Sequence, residues 1–422
     1  MHRNGTSRWR GGVVLMLRQA ASGRLHRSMC VAVSVVAALA CSMPARASYK
    51  VFEKGDSYLR IGGLLQFQYR VANVDGDPAE HDVFIRRVRP TLVGAINKDW
   101  QAIFQIDFGA GGSGRDYRVT ITWANMQYVG VRDSHLTMGS FKPWFSREFL
   151  TLGSQIHLVE RTFVGQNAWG TPDYTLGVGW DQVVARRKVF YAAALGAENH
   201  DPRAEAMGFR SAADSPADFN RGWVGGARVD LYALGEAAPN RAPLGADKSA
   251  YDRTDFGTKS WTLMFSLGGY GWWNGGRNNT YTQDGTTTDP AFADLQRAFG
   301  AELSSGLRGF GLSLDLEYQL VRGVTVDPVF TGGLYRDGST ELHKVTLDAG
   351  YMVYQNHLEI VAHWSYLNAT NYALPANLAE AGLNWFIKEY RVRFSLSYRR
   401  QIHVAGTAVD GNVGRVQAQF IF

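Results

Sequence analysis

The sequence is poor in cysteine, in charge and in long apolar runs. Its two cysteines are Cys30 and Cys41, and only 19% of the 422 residues are charged. Because no cysteine follows residue 41, residues 48–422 cannot form disulfides, thiolate metal sites or cysteine nucleophiles. A P-loop, a dinucleotide-binding fingerprint, zinc-ligand spacing and a nucleophile elbow are also missing from the sequence. The sequence therefore predicts no enzyme, no cofactor and no metal site.

The first 47 residues contain no acidic residue and no lysine, but they contain seven arginines. The apolar run VAVSVVAALA at 31–40 is followed by Ala45-Arg46-Ala47, an A-x-A cleavage pattern. The run is too short for a membrane-spanning helix, which needs about 20 apolar residues. We therefore predict a signal peptide over 1–47. A translation start at Met16 and lipidation at Cys41 are alternatives that the sequence leaves open.

The formal net charge of +6 comes from this leader. Seven of the 44 basic residues and none of the 38 acidic residues lie in it, which leaves 37 basic against 38 acidic residues. A balanced chain has no global basic surface, so we expect no nucleic-acid partner. The many glycines and aromatic residues, 47 and 13% of the chain, are typical of a protein with many strands and tight turns.

After residue 48 the chain has no long apolar run, but segments of about ten residues alternate between apolar and polar side chains. This alternation is the sequence pattern of a transmembrane β-barrel, and single-chain bacterial barrels have an even number of strands. We predict an all-β fold, a transmembrane antiparallel β-barrel over 48–422. Its sixteen strands are expected at 58–72, 83–97, 100–109, 118–130, 133–141, 174–181, 186–196, 222–233, 258–273, 293–305, 308–322, 343–354, 357–369, 377–388, 390–403 and 414–422.

The connections and the C-terminus agree with an outer-membrane barrel. Some connections are minimal and others are long, and short turns at one end with long loops at the other are typical of such barrels. The long connections are 142–173, 197–221, 234–257, 274–292 and 323–342. The chain ends VQAQFIF, an alternating apolar row that closes with Phe422. A barrel must pair its last strand with its first to leave no edge in lipid. We therefore expect the protein to lie in the bacterial outer membrane, with lipid around the barrel.

The stretch YRVRFSLSYRR at 390–400 indicates what the interior contains. Its apolar row must face lipid, because an arginine at mid-bilayer on that face costs about 2–4 kcal/mol. Arg391, Arg393 and Arg399 are therefore expected to point inward. A barrel of about sixteen strands is wide enough for an aqueous channel. Basic side chains that line a pore attract anions.

A second basic cluster is VFIRRVRP at 83–90. Arg86 and Arg87 are adjacent, so simple alternation cannot turn both inward. Either one of them lies near the membrane boundary or a bulge, in the neighbourhood of Pro90, re-aims it. Arg89 shares the parity of Arg87 and is a further candidate for the channel lining. The alternative is that these arginines pair with inward-facing acids and brace the wall.

Four stretches of the N-terminal half resemble the phosphate-selective porin O/P family. They are IGGLLQFQY (61–69), FIRRVRPTLVGAINKDWQAIFQIDF (84–108), MGSFKPWFSREF (138–149) and VERT (159–162). The resemblance implies a sixteen-stranded, trimeric porin in which the loop 142–173 folds into the lumen. It also assigns Arg86 and Arg87 to the paired arginines of the family's second strand, and Arg161 to its Glu-Arg pair. Lys142 and Arg147 are the other basic residues of that loop.

The sequence also departs from the phosphate-selective members of that family. Leu64 stands where those members carry an arginine, and neither a lysine-rich constriction nor an arginine ladder is present. We therefore expect a porin for passive diffusion of small hydrophilic solutes that prefers anions in general, phosphate or polyphosphate among them. The expected pore-lining residues are Arg86, Arg87, Arg89, Lys142, Arg147, Arg161, Arg391, Arg393 and Arg399. The alternative is a general or sugar-type porin, which the tryptophans beside the loops favour. A homotrimer is expected from the resemblance.

Overall fold

The structure is a computed structural model, in which the barrel and most of its connections are described. The described residues are 48–74, 77–110, 117, 119–201, 208–210, 222–237, 251–273, 295–325, 339–370 and 372–422. The predicted signal peptide, Met16 and Cys41 lie outside these residues, as do large parts of the long connections after 201, 237, 273 and 325. Among the described residues, no helix has the length and apolar character needed to cross a membrane.

The described residues form strands almost throughout. The strands are β1 Tyr49–Lys54, β2 Ser57–Val74, β3 Glu80–Ala95, β4 Trp100–Asp107, β5 Thr120–Tyr128, β6 Ser134–Phe141, β7 Thr175–Val184, β8 Val189–Ala197, β9 Asn199–Asp201, β10 Gly208–Arg210, β11 Trp223–Leu234, β12 Thr262–Trp273, β13 Leu295–Gly309, β14 Leu312–Thr325, β15 Ser339–Tyr354, β16 Leu358–Ala369, β17 Ala376–Lys388, β18 Val392–Ile402 and β19 Gly411–Ile421. One short helix, α1, spans Arg147–Leu150, and 3-10 turns span Asn167–Trp169 and Val404–Gly406.

Sixteen of these strands form a closed antiparallel barrel. The order runs from β11 to β19, then from β2 to β8, and β8 pairs again with β11. The seam between the chain ends is a long ladder, from Gly411 opposite Val74 to Ile421 opposite Leu64. Beyond it, the Phe422 N–H donates to the Gly63 carbonyl at 3.1 Å. This closure confirms the sixteen-stranded barrel and the role predicted for the C-terminal strand, since it leaves no open edge in lipid.

Each barrel strand corresponds to one predicted strand, and no end differs by more than four residues. The prediction missed β1, which pairs with the first residues of β2, from Tyr49 opposite Ile61 to Lys54 opposite Ser57. β1 continues the line of β19 along the same edge of β2. Its side chains are exposed on both faces, so it lacks the one-sided apolar row by which the other strands are recognised.

The barrel buries polar side chains and exposes apolar ones. On β18 the exposed fractions of Arg393 and Arg399 are 0% and 4%, whereas those of Leu396 and Tyr398 are 52% and 57%. A soluble sheet shows the opposite pattern, with its apolar face in the core. A lipid-facing exterior therefore explains the sequence alternation, and the interior is built from charged and amide side chains.

The two ends of the barrel differ in their connections. At the short-turn end, β13 and β14 are joined through 310–311 and β15 and β16 through 355–357; at the long-loop end, β6 and β7 are joined through 142–174. The connection 235–261 between β11 and β12 is long but lies at the short-turn end, because β11 runs toward that end. The expectation that all long connections share one end is therefore wrong.

Candidate functional site

The paired arginines of β3 sit on a β-bulge. Gln66 lies opposite Arg87 and Phe67 lies opposite Ile85, so Arg86 is the extra residue of the pair. The bulge re-aims the chain, and both guanidinium groups approach the Glu160 carboxylate. Arg86 Nη2 donates to Glu160 Oε2 at 3.0 Å, and Arg87 Nη2 lies 4.0 Å from the same oxygen. The predicted bulge is thus present.

The neighbouring charges on β3 and β4 are also paired. Arg89 Nε donates to Asp107 Oδ2 at 2.7 Å. Burial alone would raise the pKa of Glu160, but Arg86 and Arg87 outweigh it and hold that pKa far below its ordinary value. Arg86 and Arg89 therefore each have a carboxylate partner, as the bracing alternative predicts, while Arg87 is held chiefly by the amide oxygen of Gln66.

The connection 142–173, here termed the crossing loop, enters the barrel from the long-loop end. Wall carboxylates accept hydrogen bonds from the first N–H groups of α1, which have no partners within the helix. Glu302 of β13 accepts from the Ser146 N–H at 2.7 Å and from the Arg147 N–H at 3.1 Å. Glu317 of β14 accepts from the Glu148 N–H at 2.9 Å. These charge-assisted hydrogen bonds fix the start of the loop to β13 and β14.

The crossing loop then reaches the opposite wall. Gln66 of β2 donates to the Gly153 carbonyl at 3.2 Å, and Arg393 of β18 donates to the Ile156 carbonyl at 2.8 Å. Glu160 meets Arg86 on β3, which lies eight strands from β13 around the ring of sixteen. The loop therefore spans the interior from one side of the barrel to the other.

The basic residues of the crossing loop bind acceptors in the loop itself or in the wall. Lys142 donates to the Phe149 carbonyl, and Arg161 donates to the Thr151 carbonyl at 2.7 Å. Burial lowers the pKa of Lys142 well below its ordinary value, and Arg161 lowers it further. Arg147 Nε donates to Asp315 Oδ1 of β14 at 2.7 Å. All three predicted residues thus lie inside the barrel, and each has an acceptor there.

The three arginines predicted on one strand separate in the structure. Arg393 and Arg399 face the interior, where Arg399 Nε donates to Glu380 Oε2 at 2.6 Å. β18 begins only at Val392, so Arg391 lies in the turn after β17 rather than on the wall. Its placement in the inward row is therefore corrected, because the strand alternation does not extend to it. Tyr390 is likewise buried instead of facing lipid.

A second segment, missed in the sequence, enters from the other end. Residues 251–261, here termed the basal segment, form the longer of the two described parts of the connection between β11 and β12. The Tyr251 hydroxyl donates to Asp230 Oδ2 at 2.8 Å, and the Thr254 N–H donates to the Tyr390 hydroxyl at 3.0 Å. The Gly311 N–H donates to Asp255 Oδ2 at 2.6 Å. The basal segment is thus attached to the wall and to the turn between β13 and β14.

The two inward segments meet inside the barrel. The Thr151 hydroxyl of the crossing loop donates to the Tyr251 carbonyl at 2.9 Å, and Arg253 Nε donates to the Thr151 hydroxyl at 3.3 Å.

The sequence did contain a signal for the basal segment. Counting strand directions places 234–257 at the short-turn end, and a long connection is unexpected there.

One cluster has the ligand types of a metal site. Ligand atoms of His157, Asp315 and Asp348 lie within 4.8 Å of one another. Guanidinium groups already contact Asp315, including those of Arg147 at 2.7 Å and Arg253 at 3.3 Å. His157 Nδ1 lies 3.1 Å from Asp348 Oδ1. The carboxylate charge is therefore compensated by protein cations, and the cluster is an ion-pair network.

Comparison with known proteins identifies the channel class of this barrel. The family described as phosphate-selective porin O and P matches residues 59–303 of the chain. This chain belongs to that family. It is an outer-membrane porin, and its family and fold are those of a channel. No curated protein sequence matches the porin significantly.

Solved structures share the fold of this porin at low sequence identity. The anion-selective porin from Comamonas acidovorans is 10% identical, with a TM-score of 0.53 over 87% of this chain and 100% of that one. The outer-membrane channel DcaP of Acinetobacter baumannii is 10% identical, with a TM-score of 0.54 over 88% and 99%. The trimer form of in-vitro folded OmpT of Vibrio cholerae is 9% identical, with a TM-score of 0.50 over 87% and 99%.

Proposed function

We propose that this porin passes small hydrophilic solutes by diffusion and prefers anions. The observation that carries the proposal is the charge on the wall from β17 to β19 and from β2 to β4, here termed the basic sector. This sector and the loop residues beside it contain ten described inward-facing cations, namely Arg60, Arg70, Arg86, Arg87, Arg89, Lys142, Arg161, Arg393, Arg399 and Arg415. Six carboxylates lie beside them, namely Asp82, Asp107, Glu148, Glu160, Asp173 and Glu380. Cations are in excess, and a positively charged lining raises the local anion concentration.

The crossing loop is the constriction in this proposal. It carries Glu160 and Arg161 across the interior to the basic sector, and hydrogen bonds to the wall hold it at both sides of the barrel. A passing solute would be confined to the space that the loop leaves beside Arg86 and Arg89.

The contacts favour anions in general over phosphate in particular. Leu64 is buried where phosphate-selective members of the family carry an arginine, and most arginines of the basic sector already have carboxylate or carbonyl acceptors. The sugar-type alternative relies on tryptophans that would line the path. Trp144 and Trp272 are instead buried in apolar clusters, and Trp273 stacks on Trp223 at the outer face. An anion-preferring porin is therefore favoured over a sugar-type porin.

Two further parts of the proposal concern assembly and export. A homotrimer is proposed, in keeping with the trimer form described for OmpT of Vibrio cholerae, which shares the fold. Chemical cross-linking of unheated, detergent-extracted porin tests it, with a three-subunit band as the expected result.

Removal of residues 1–47 is proposed from the sequence pattern alone. N-terminal sequencing of porin from outer membranes should then begin at Ser48.

The reversal potential of the reconstituted channel in a potassium chloride gradient tests the anion preference. The expected sign is that of chloride, and phosphate should reduce the chloride current by competition. Replacing Arg393 and Arg399 together by alanine should weaken the preference. Arg391→Ala is the matched control, because that arginine lies in a turn and its charge should matter less. A wild-type channel that prefers potassium would contradict the proposal. Unchanged selectivity in the double variant would contradict only the assignment of these two residues.

A further inference from the structure

The wall opposite the basic sector is rich in carboxylates, and the basal segment brings a guanidinium group to them. Arg253 Nη1 lies 3.3 Å from Asp315 Oδ2 and 3.9 Å from Asp348 Oδ2, and its Nη2 lies 3.9 Å from Glu317 Oε2. The three acids belong to β14 and β15, and the exposed fraction of Arg253 is 1%. One side chain from outside the wall thus touches three inward-facing carboxylates.

The charge of Arg253 is not duplicated for all three acids. Asp315 also pairs with Arg147 and Arg308, so it keeps cationic partners without Arg253. Asp348 has His157 as its other described ion-pair partner. Glu317 accepts hydrogen bonds from neutral groups, namely the Ser146 hydroxyl, the Glu148 N–H and the Gln319 amide. Loss of Arg253 therefore makes the charge on this side of the interior more negative by one unit.

We propose that Arg253 is a selectivity-determining residue of the channel, and that the basal segment is a second selectivity element beside the crossing loop. Arg253 acts as a tethered counter-ion that prevents Asp315, Glu317 and Asp348 from attracting cations into the pore. The inference rests on the proposed anion preference, which it extends to a part of the chain outside the basic sector. The basal segment reaches its position only because 251–256 fold into the barrel from the short-turn end.

The expected change in the permeability ratio follows from the charge of one side chain. A unit charge about 10 Å from an ion in water changes the local concentration of that ion about twofold. Loss of one positive charge lowers the local anion concentration about twofold and raises the local cation concentration about twofold. Arg253→Gln should therefore lower the anion-to-cation permeability ratio about fourfold at low salt. Screening shortens the range of the effect to about 10 Å at 0.1 M salt, so a smaller change is expected at 1 M.

The experiment compares reversal potentials of reconstituted full-length channels in a dilute potassium chloride gradient. Arg253→Gln should show the fourfold fall, and Arg253→Lys, which keeps the charge, should match the wild type. Arg253→Gln combined with Asp348→Asn should return toward the wild-type ratio, because the second substitution removes the negative charge that the first exposes. Arg187→Gln is the matched control, since this arginine pairs with Asp133 at a turn outside the interior.

The outcomes separate this inference from the proposed function. A wild-type channel that prefers cations contradicts the proposed function, whereas the direction of the change caused by Arg253→Gln still tests the inference. An unchanged ratio in Arg253→Gln, with the barrel folded as shown by heat-modifiable migration, overturns the inference. A fall of the same size in Arg253→Lys also overturns it, because the effect would then come from packing. If Arg253→Gln does not fold, Asp348→Asn alone decides, and it must raise the ratio.

Discussion

The crossing loop and the basal segment enter the same barrel from opposite ends, but they are held by different means. The crossing loop is fixed by wall carboxylates that accept hydrogen bonds from its backbone N–H groups, as Glu302 does for Ser146 and Arg147. The crossing loop also supplies charged side chains to the wall, namely Arg147 to Asp315 and Glu160 to Arg86. The basal segment is held mainly through its side chains: Arg253 binds wall acids, and Asp255 accepts from the Gly311 N–H. The start of the crossing loop thus depends on wall carboxylates that bind its backbone, whereas Arg253 of the basal segment supplies positive charge to wall carboxylates.

This difference predicts unequal costs for removing one carboxylate. Glu302→Gln should destabilise the barrel by about 3–5 kcal/mol, because Arg228 keeps only Asp230 as a buried carboxylate partner and the N–H groups of Ser146 and Arg147 lose a charged acceptor. Asp255→Asn should cost about 1–3 kcal/mol, because it leaves neutral donors with a poorer acceptor. The unfolding temperatures of the two variants in the same detergent measure the difference.

If Asp255→Asn destabilises the barrel as much as Glu302→Gln does, the basal segment is anchored as firmly as the crossing loop. The two segments would then not differ in how they are held. Glu302→Gln should in addition enlarge the single-channel conductance, since the start of the loop is released from β13. An unchanged conductance would show that the other anchors hold the loop in place.

A pH change should act on the crossing loop. Burial alone would lower the pKa of His157, but Asp348 and Glu359 outweigh it and raise that pKa above its ordinary value of 6.5. A raised pKa in the folded state means that the stabilisation is full below about pH 6.5 and is lost as the pH rises through the raised value. The unfolding temperature of the wild type minus that of His157→Gln should therefore be larger at pH 6 than at pH 9.

The basal segment gives the corresponding control for pH. Burial raises the pKa of the Tyr251 hydroxyl well above its ordinary value, so this group stays protonated between pH 6 and pH 9. The difference between the wild type and Tyr251→Phe should accordingly be the same at both pH values. A pH-dependent difference for Tyr251→Phe, or a constant one for His157→Gln, would contradict the assignment.

The smallest expected effect is at the junction of the two segments. Thr151→Val removes the hydroxyl that donates to the Tyr251 carbonyl at 2.9 Å and accepts a longer hydrogen bond from Arg253 at 3.3 Å, and this loss costs about 1–2 kcal/mol. Amide hydrogen exchange should then increase in 251–256. Thr162→Val is the matched control, because the Thr162 hydroxyl bonds to Glu148 and Thr346 and does not touch the basal segment. Increased exchange in 251–256 in both variants would argue against a specific junction.

The barrel was predictable because lipid imposes one rule on every strand. An apolar row must face outward, so alternation located all sixteen barrel strands, and β1 was missed since it lacks such a row. The inward side of Arg393 and Arg399 followed from the same rule. Arg391 did not follow it, because alternation cannot show where a turn ends and a strand begins.

The site was less predictable because its contacts are long-range. The sequence indicated Arg86 and the Glu-Arg pair at 160–161 separately, but the contact between Arg86 and Glu160 depends on a loop that returns to a strand 74 residues earlier. The basal segment was missed, although the sequence shows a long connection after the eighth barrel strand, β11. That strand ends at the short-turn end, where a long connection is unexpected. Arg253 has no local pattern around it, and the acids that it contacts lie on strands more than sixty residues away.

The sidedness of cysteine modification tests the central claim most directly, namely that the two segments enter the barrel from opposite ends. Ala168 of the crossing loop and Lys259 of the basal segment are both exposed, and the described residues contain no native cysteine. Single channels of Ala168→Cys and Lys259→Cys are treated with a charged thiol reagent from one side of the bilayer at a time. We predict that the current of Ala168→Cys changes only on addition at the long-loop side, and that of Lys259→Cys only at the short-turn side. Modification of both variants from the same side would contradict the account.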